Sequence, residues 1–367
     1  MANAAIATDV VDLVLAPTDI AAELERLGGH PYLDQPEPSE ETPIASDDQR
    51  IMRVVQLIRQ HTGVDFTGYK SGTFKRRLYR RMMLQRLESL ERYLHYLENN
   101  PDEVQRLYQD ILIHVTRFFR SPLAFDALRE HVFPELLASR SAERPLRIWV
   151  PGCASGEEAY SIAIAVLEFL GDRAADVPVQ IFGTDIADRA IDHARTGVYG
   201  EDIAADVSPE RLQRFFTRHE YGYRVSQPVR ELCVFSRQDL TRDPPFSQID
   251  LVACRNVLIY MGAELQQRLL RLFHYSLTAN GFLMLGESET VDQQPTLFAA
   301  VDKRNRIYSR KQAEAQARDI FPTPVPEFHR RGVKSSREAL DTDQGSARRE
   351  SEQYILRRYA PPECAGR

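Results

Sequence analysis

The spacing of apolar positions divides the chain into a helical stretch and a later alternation of short apolar runs with amphipathic helices. From about 50 to 128 apolar residues recur three and four apart, beginning with Ile51, Val54, Val55 and Ile58. Gly63 and Gly68 punctuate that stretch. The spacing predicts helices over 71–87, 89–98 and, after Pro101, 102–112. The first compact apolar run, 146–150, is long enough for one buried strand. Pro151 and Gly152 break it. The small residues Cys153, Ala154, Ser155 and Gly156 follow and let a backbone approach a ligand closely. Glu157 and Glu158 then open a helix whose Ile162, Val166 and Phe169 recur at helical spacing. Strand, small-residue turn and helix form the opening unit of a doubly wound α/β nucleotide fold.

The alternation continues with a strand over 179–183 that runs into Thr184 and Asp185, then a helix over 188–195. A strand over 249–254, a helix over 263–277, a turn at Asn280-Gly281, a strand over 282–285 and a hairpin over 298–308 complete it. Residues 197–238 do not fit. A short helix over 208–216 and short strands at 223–225 and 233–235 predict a small antiparallel β insertion, at about 205–238.

The two ends differ in kind from the middle. Residues 10–15 read as a short strand and 18–27 as a helix closed by Gly28-Gly29 and Pro31. Residues 31–48, rich in proline and acid, read as a linker. Beyond 311 the chain turns polar and proline-rich, which predicts disorder over 312–345 and a short helix near 347–358.

Composition narrows the class. The chain has 367 residues, 43% of them hydrophobic and 27% charged, which describes a globular protein with room for two or three domains. The net charge of -6 implies no general affinity for nucleic acid. No apolar run approaches the roughly 20 residues of a membrane span. The start carries Asp9 and Asp12 in its apolar part and no basic leader, so no signal peptide is expected and the cytoplasm is the natural compartment. Cys153, Cys233, Cys254 and Cys364 have no metal-type spacing, and the nine histidines make no H-E-x-x-H, so no metal site is expected.

Two glutamates at the start of the helix after the small-residue turn would repel a pyrophosphate, and the G-x-G-x-x-G pattern is incomplete. They suit a ligand with a cationic amino group, and S-adenosylmethionine carries an ammonium and a sulfonium and no phosphate. Asp185, at the end of the second strand, sits where such folds hold ribose hydroxyls. On the 71–87 helix, Arg76, Arg77, Arg80 and Arg81 share one arc, opposite Phe74, Leu78 and Met82. With no acid at i±4 to pair them, this face predicts an acidic partner such as a glutamate-rich helix. The stretch 114–125, HVTRFFRSPLAF, reads as a domain junction with Phe118 and Phe119 inside and the arginines outside.

Together these pieces resemble the CheR-type chemoreceptor glutamate methyltransferases. The residues that carry the resemblance are Phe66, Tyr69 and Lys70 with the basic helix, V-T-R-F-F-R at 115–120, P-G-C-A-S-G-E-E-A-Y-S at 151–161, T-D-I at 184–186 and C-R-N-V-L-I-Y at 254–260. It covers roughly 48–311. It implies a helical N-terminal domain (49–128) and a Rossmann-like class I S-adenosylmethionine-dependent methyltransferase domain (129–311) with the β insertion inside. By the resemblance, Thr116 and Arg120 contact the methionine carboxylate of S-adenosylmethionine, Glu158 its ammonium, Asp185 its ribose, and Asp239 with Leu240 its adenine. Arg255 and Asn256 line the same pocket, and Tyr260 lies near the transferred methyl. Arg120 and Tyr260 are the expected catalytic positioning residues. His114 is expected at the cofactor as well, although the family more often has Asn there, and Asp239 also replaces a common Asn.

The implied partner is the cytoplasmic domain of a chemoreceptor, docked on Arg76, Arg77, Arg80 and Arg81, and the implied product of the cofactor is S-adenosylhomocysteine. Some relatives capture a receptor pentapeptide on a longer, glycine-rich loop of the insertion. Here residues 218–225 allow only a tight hairpin, so no pentapeptide tether is expected. Residues 4–33 resemble the tail of a CheB-type methylesterase, and 351–362 the segment leading into a sensor domain in fused CheB–CheR proteins. The D-P-P-F at 243–246 hints at an amine methyltransferase, but it precedes the fourth strand instead of following it. A catalytically silent, cofactor-binding adaptor is the remaining alternative.

Overall fold

The computed structural model describes residues 13–29, 44, 48–112, 115–138 and 144–312. The expected linker, apart from Ile44 and Asp48, lies outside them. So do the tail from 313 and the helix near 347–358. Residues 13–15 are described and form no strand. Two compact units part at Ile113, and the piece Tyr260–Gly262 belongs with the first.

The first unit is helical. It contains α1 (Pro17–Gly28), α2 (Gln49–Thr62), α3 (Ser71–Leu84), α4 (Leu90–Asn99) and α5 (Pro101–Ile111). Helix α2 begins where the Asp48 carboxylate accepts the Arg50 N–H at 2.8 Å, and it ends at Gly63, whose φ of 79° suits glycine. Pro17 and Pro101 occupy first positions, where a missing N–H costs nothing. The periodic apolar faces do meet: Val54, Val55, Ile58, Phe66, Phe74, Leu78, Leu97 and Leu107 are buried.

The second unit is α/β. After α6 (Pro122–Ala127), a π-helical turn (Leu128–Val132) and α7 (Phe133–Ala138) come β1 (Leu146–Pro151), α8 (Glu157–Leu170), β2 (Val179–Asp185), α9 (Asp188–Thr196) and β3 (Val198–Tyr199). Next are α10 (Pro209–Phe215), β4 (Phe216–His219), β5 (Gly222–Val225), α11 (Gln227–Arg230), β6 (Cys233–Arg237) and β7 (Ile249–Cys254). Helix α12 (Ala263–Ser276), β8 (Leu277–Leu285), β9 (Phe298–Asp302) and β10 (Ile307–Arg310) close the unit. The main sheet has the order β6-β2-β1-β7-β8-β10-β9. The first five of these strands run parallel, and β10 is antiparallel to both its neighbours. The chain moves outward from β1 through β2 to β6, then returns to β7 on the other side of β1. That reversal makes the carboxyl ends of β1 and β7 the ligand edge of such a sheet.

Three sequence expectations need correction. The second unit begins at 114, not near 129, because Phe118, Phe119, Phe125 and Leu128 are buried in the α/β core. The strand at 233–237 is not part of the insertion. It pairs in parallel with β2, Ile181 opposite Cys233, so the small sheet is β3-β5-β4 and ends at Val225. Asn280-Gly281 lies inside β8, in an irregularity where Ile249 faces Leu277 and Leu251 faces Phe282. Strand alternation announces a strand but not its neighbour, and an Asn-Gly pair serves a bulge as well as a hairpin.

Candidate functional site

The turn after β1 is held from beneath and from the side. Gly152, Ala154 and Gly156 all have positive φ, of 69°, 47° and 98°. A Cβ on Gly156 would lie 2.8 Å from the Ala194 Cβ, so only glycine fits there. Three of the turn's amides are already used. Cys153 N–H donates to the Thr184 carbonyl at 3.0 Å, Ala154 N–H to Asp185 Oδ2 at 2.8 Å, and Gly156 N–H to the Cys153 carbonyl at 2.9 Å. Tyr199 of β3 donates its hydroxyl to the Ser155 carbonyl at 2.7 Å.

This geometry bears on the ligand. A phosphate cradle needs outward-pointing amides and no nearby anion. Here three amides of the turn point inward, and Asp185, Glu157 and Glu158 surround it with carboxylates. The donor set fits a ligand that brings hydroxyls and an ammonium, as S-adenosylmethionine does. Each Asp185 oxygen accepts one backbone N–H, from Ala154 and from Ala187 at 3.0 Å. A carboxylate has about four acceptor sites, so capacity for two ribose hydroxyls remains.

Glu158 and Arg255 form a buried pair. Arg255 Nη1 donates to Oε1 at 2.8 Å and Oε2 at 3.0 Å, and its Nη2 donates to the Arg120 carbonyl at 2.8 Å. The Arg255 side chain is only 3% exposed. Thus three residues expected at the cofactor, from V-T-R-F-F-R, from α8 and from the end of β7, are joined directly. The Arg120 guanidinium itself makes no hydrogen bond or ion pair among the described residues, which leaves it able to meet a carboxylate. Thr116 is half-buried in the same segment. Phe119 N–H donates to Ser161 Oγ at 2.9 Å, and Arg211 stacks on the Phe119 ring with 3.9 Å to its centroid. Glu157 is buried and its carboxyl is pushed up by burial, against the Ser155 hydroxyl that donates to it.

Asp239 follows β6 and is buried, with Leu240 half-buried beside it. Gln238 N–H donates to the Asp185 carbonyl at 2.9 Å, which ties the ends of β6 and β2 together. Asp239 Oδ1 accepts from the Thr241 amide at 2.8 Å and hydroxyl at 2.7 Å. Burial raises its carboxyl above the usual range despite those bonds. Asn256 stands just after β7 with a left-handed φ of 60°.

Tyr260 belongs to the helical unit, where Lys70 N–H donates to its carbonyl at 2.9 Å. His114 lies outside the described residues. The basic arc of α3 is also corrected. Arg81 is buried and donates to both Glu103 oxygens at 2.9 and 2.7 Å, a carboxylate that Tyr93 and Gln85 also bond. Arg80 pairs with Asp110 at 3.0 Å. The acids come from α5, beyond the reach of an i±4 test. Arg76 is exposed and Arg77 half-buried. Glu289, buried and bonded to the loop after β7, had no signal in the sequence, where G-E-S-E at 286–289 reads as a polar turn.

A mixed sheet with five parallel strands, an acid-lined turn after β1 and an aspartate at the end of β2 is a frame that suits an S-adenosylmethionine-dependent methyltransferase. Residues 50–112 match the all-alpha domain of the CheR methyltransferases, and residues 114–307 match the CheR methyltransferase SAM-binding domain. The chain therefore belongs to the CheR methyltransferase family. It is 33% identical over 257 residues to the chemotaxis protein methyltransferase of Salmonella typhimurium, covering 67% of this chain and 85% of that one. It is 35% identical over 268 residues to chemotaxis protein methyltransferase 2 of Pseudomonas aeruginosa, covering 70% and 91%. A 104.1 kDa protein of Rhodobacter capsulatus is 34% identical over 389 residues; that match takes in 99% of this chain but only 40% of the longer protein. Among the described residues no helix is long and apolar enough to cross a membrane.

Proposed function

We propose that the chain methylates glutamate side chains on the cytoplasmic domain of chemoreceptors, giving methyl esters in adaptation or related signalling. The observation that carries the reading is the joined set Arg120, Glu158 and Arg255 beside the Asp185-held turn, in a chain of this family. S-adenosylmethionine supplies a sulfonium-bound methyl. Asp185 accepts its ribose hydroxyls, Glu158 its ammonium, and Arg120 with Thr116 its carboxylate. Asp239 and Leu240 take the adenine, and Asn256 lines the pocket.

A glutamate with an ordinary pKa near 4.3 is already ionised at neutral pH, so the protein needs no general base. Its task is to align the acceptor oxygen and to keep off the water that solvates a carboxylate. Alignment of that kind contributes on the order of 7–11 kcal/mol in the best cases. Arg120 and Tyr260 are assigned to it from the family resemblance.

Receptor docking falls to Arg76, exposed, and Arg77, half-buried, with Arg80, which pairs with Asp110, at their margin. Arg81, buried against Glu103, is left out of the proposed face. The β4–β5 connection is only Glu220-Tyr221, too short to close over a peptide, which supports docking without a pentapeptide tether. Incubation with methyl-labelled S-adenosylmethionine and receptor-bearing membranes tests the reading: base-labile label on the receptor is expected. A folded, cofactor-binding protein that transfers nothing would leave the silent adaptor instead.

A further inference from the structure

Glu289 follows β8, and its side chain is buried, the residue being 4% exposed. Its carboxylate is spent on backbone. Oε2 accepts the N–H of Gly286 at 2.6 Å and of Asn256 at 2.9 Å, and Oε1 accepts the N–H of Ile259 at 3.3 Å. Asn256 and Ile259 belong to the loop after β7. The carboxylate therefore staples that loop to the one after β8. It also holds Asn256 in a left-handed conformation that a side chain disfavours. The fit is close: a Cβ on Gly286 would lie 2.8 Å from both Asn256 N and Glu289 Oε2.

The two stapled residues of the β7 loop bracket Val257. Its Cγ2 stands 2.3 Å from where a Cβ on Gly152 would be, so Val257 lies directly against the turn after β1. Arg255, just before the staple, holds both oxygens of Glu158. The stapled loop thus reaches the turn at Gly152 and the head of α8 at Glu158.

We propose that Glu289 is a positioning residue for the cofactor. It fixes the 255–259 loop so that Val257 and Arg255 hold the turn and Glu158 in their ligand-binding arrangement. The proposal rests on reading that turn as the S-adenosylmethionine site. Glu289→Gln is the informative change. One amide oxygen can replace Oε2 and keep Gly286 and Asn256, but the new NH2 then faces the Ile259 N–H, donor against donor. Val257→Ala leaves the staple and removes the contact on Gly152.

The test is calorimetric titration of S-adenosylhomocysteine into the full chain, with thermal melts of each variant. Glu289→Gln should weaken binding by roughly tenfold or more, the scale of a lost bond to a charged group. Val257→Ala should weaken it severalfold, and the double variant should fall well short of the product of the two, because both act through the same loop. A folded Glu289→Gln protein that binds within about twofold of wild type would overturn the proposal. If that variant does not fold, Val257→Ala decides alone: affinity within about twofold of wild type overturns it. A wild-type chain that binds no S-adenosylhomocysteine would refute the cofactor reading itself, and this proposal with it.

Discussion

Arg255 Nη1 donates to both carboxylate oxygens of Glu158, at 2.8 and 3.0 Å, and the pair is buried at the head of α8. Removing one partner of a buried pair leaves the other charge uncompensated, at a cost of about 3–5 kcal/mol, whereas replacing both by apolar residues is often near neutral. Glu158→Ala should therefore lower stability by that amount in denaturant titration. The double change Glu158→Met with Arg255→Met should recover most of it and still lose S-adenosylhomocysteine binding. A stable double variant that binds normally would make the pair structural only.

Asp185 holds the turn through Ala154 and Ala187, and the proposed function adds ribose hydroxyls to its acceptor load. Asp185→Ala should raise the calorimetric Kd for S-adenosylhomocysteine tenfold or more, since bonds to a charged acceptor contribute roughly 1.5–3 kcal/mol each. Unchanged affinity in the folded variant would sink the assignment.

Burial raises the Asp239 carboxyl, helped by nearby Asp243 and opposed by the Thr241 bonds and by Arg242. A carboxyl whose folded value lies above its unfolded value binds its proton more tightly in the folded state. Its stabilising effect is present below the unfolded pKa, near 3.9, and is lost as pH rises through the folded value. Asp239→Asn keeps an oxygen for Thr241 and removes the buried charge. Melting curves across this range should show Asp239→Asn more stable than wild type at neutral pH, with the difference shrinking toward acid. A difference that grows toward acid would contradict the burial account.

What the sequence made legible was local. The run 146–150, the Pro-Gly break and the two glutamates lie within a dozen positions of one another, and each signals its element by spacing or turn chemistry. The end of β2 placed Asp185 by the same logic. The illegible parts depend on pairing across distance. Cys233 pairs with Ile181 in the main sheet, Arg81 finds Glu103 on another helix, and Glu289 reaches back to Asn256. Periodicity identifies a strand, an arginine or a glutamate but carries no record of its distant partner.

Receptor docking by the Arg76 and Arg77 face predicts a kinetic split. Charge reversal at Arg76 and Arg77 should raise the KM for receptor and leave cofactor affinity unchanged. Wild-type turnover should fall with added salt, because exposed charges are screened within ~10 Å at 0.1 M. A rate independent of salt, with unchanged KM in the reversed variant, would argue against this face.

The proposed reaction is methyl transfer from S-adenosylmethionine to a glutamate oxygen of a chemoreceptor. Tandem mass spectrometry of a receptor cytoplasmic fragment, incubated with the full chain and the cofactor, tests it most directly. Glutamate residues heavier by one methylene, reverting in alkali with release of methanol, are expected, with none when those glutamates are changed to alanine and markedly less at limiting cofactor when the Asp185→Ala chain is used. Modification confined to lysine or to the amino terminus, or none from a chain that binds the cofactor, would contradict it.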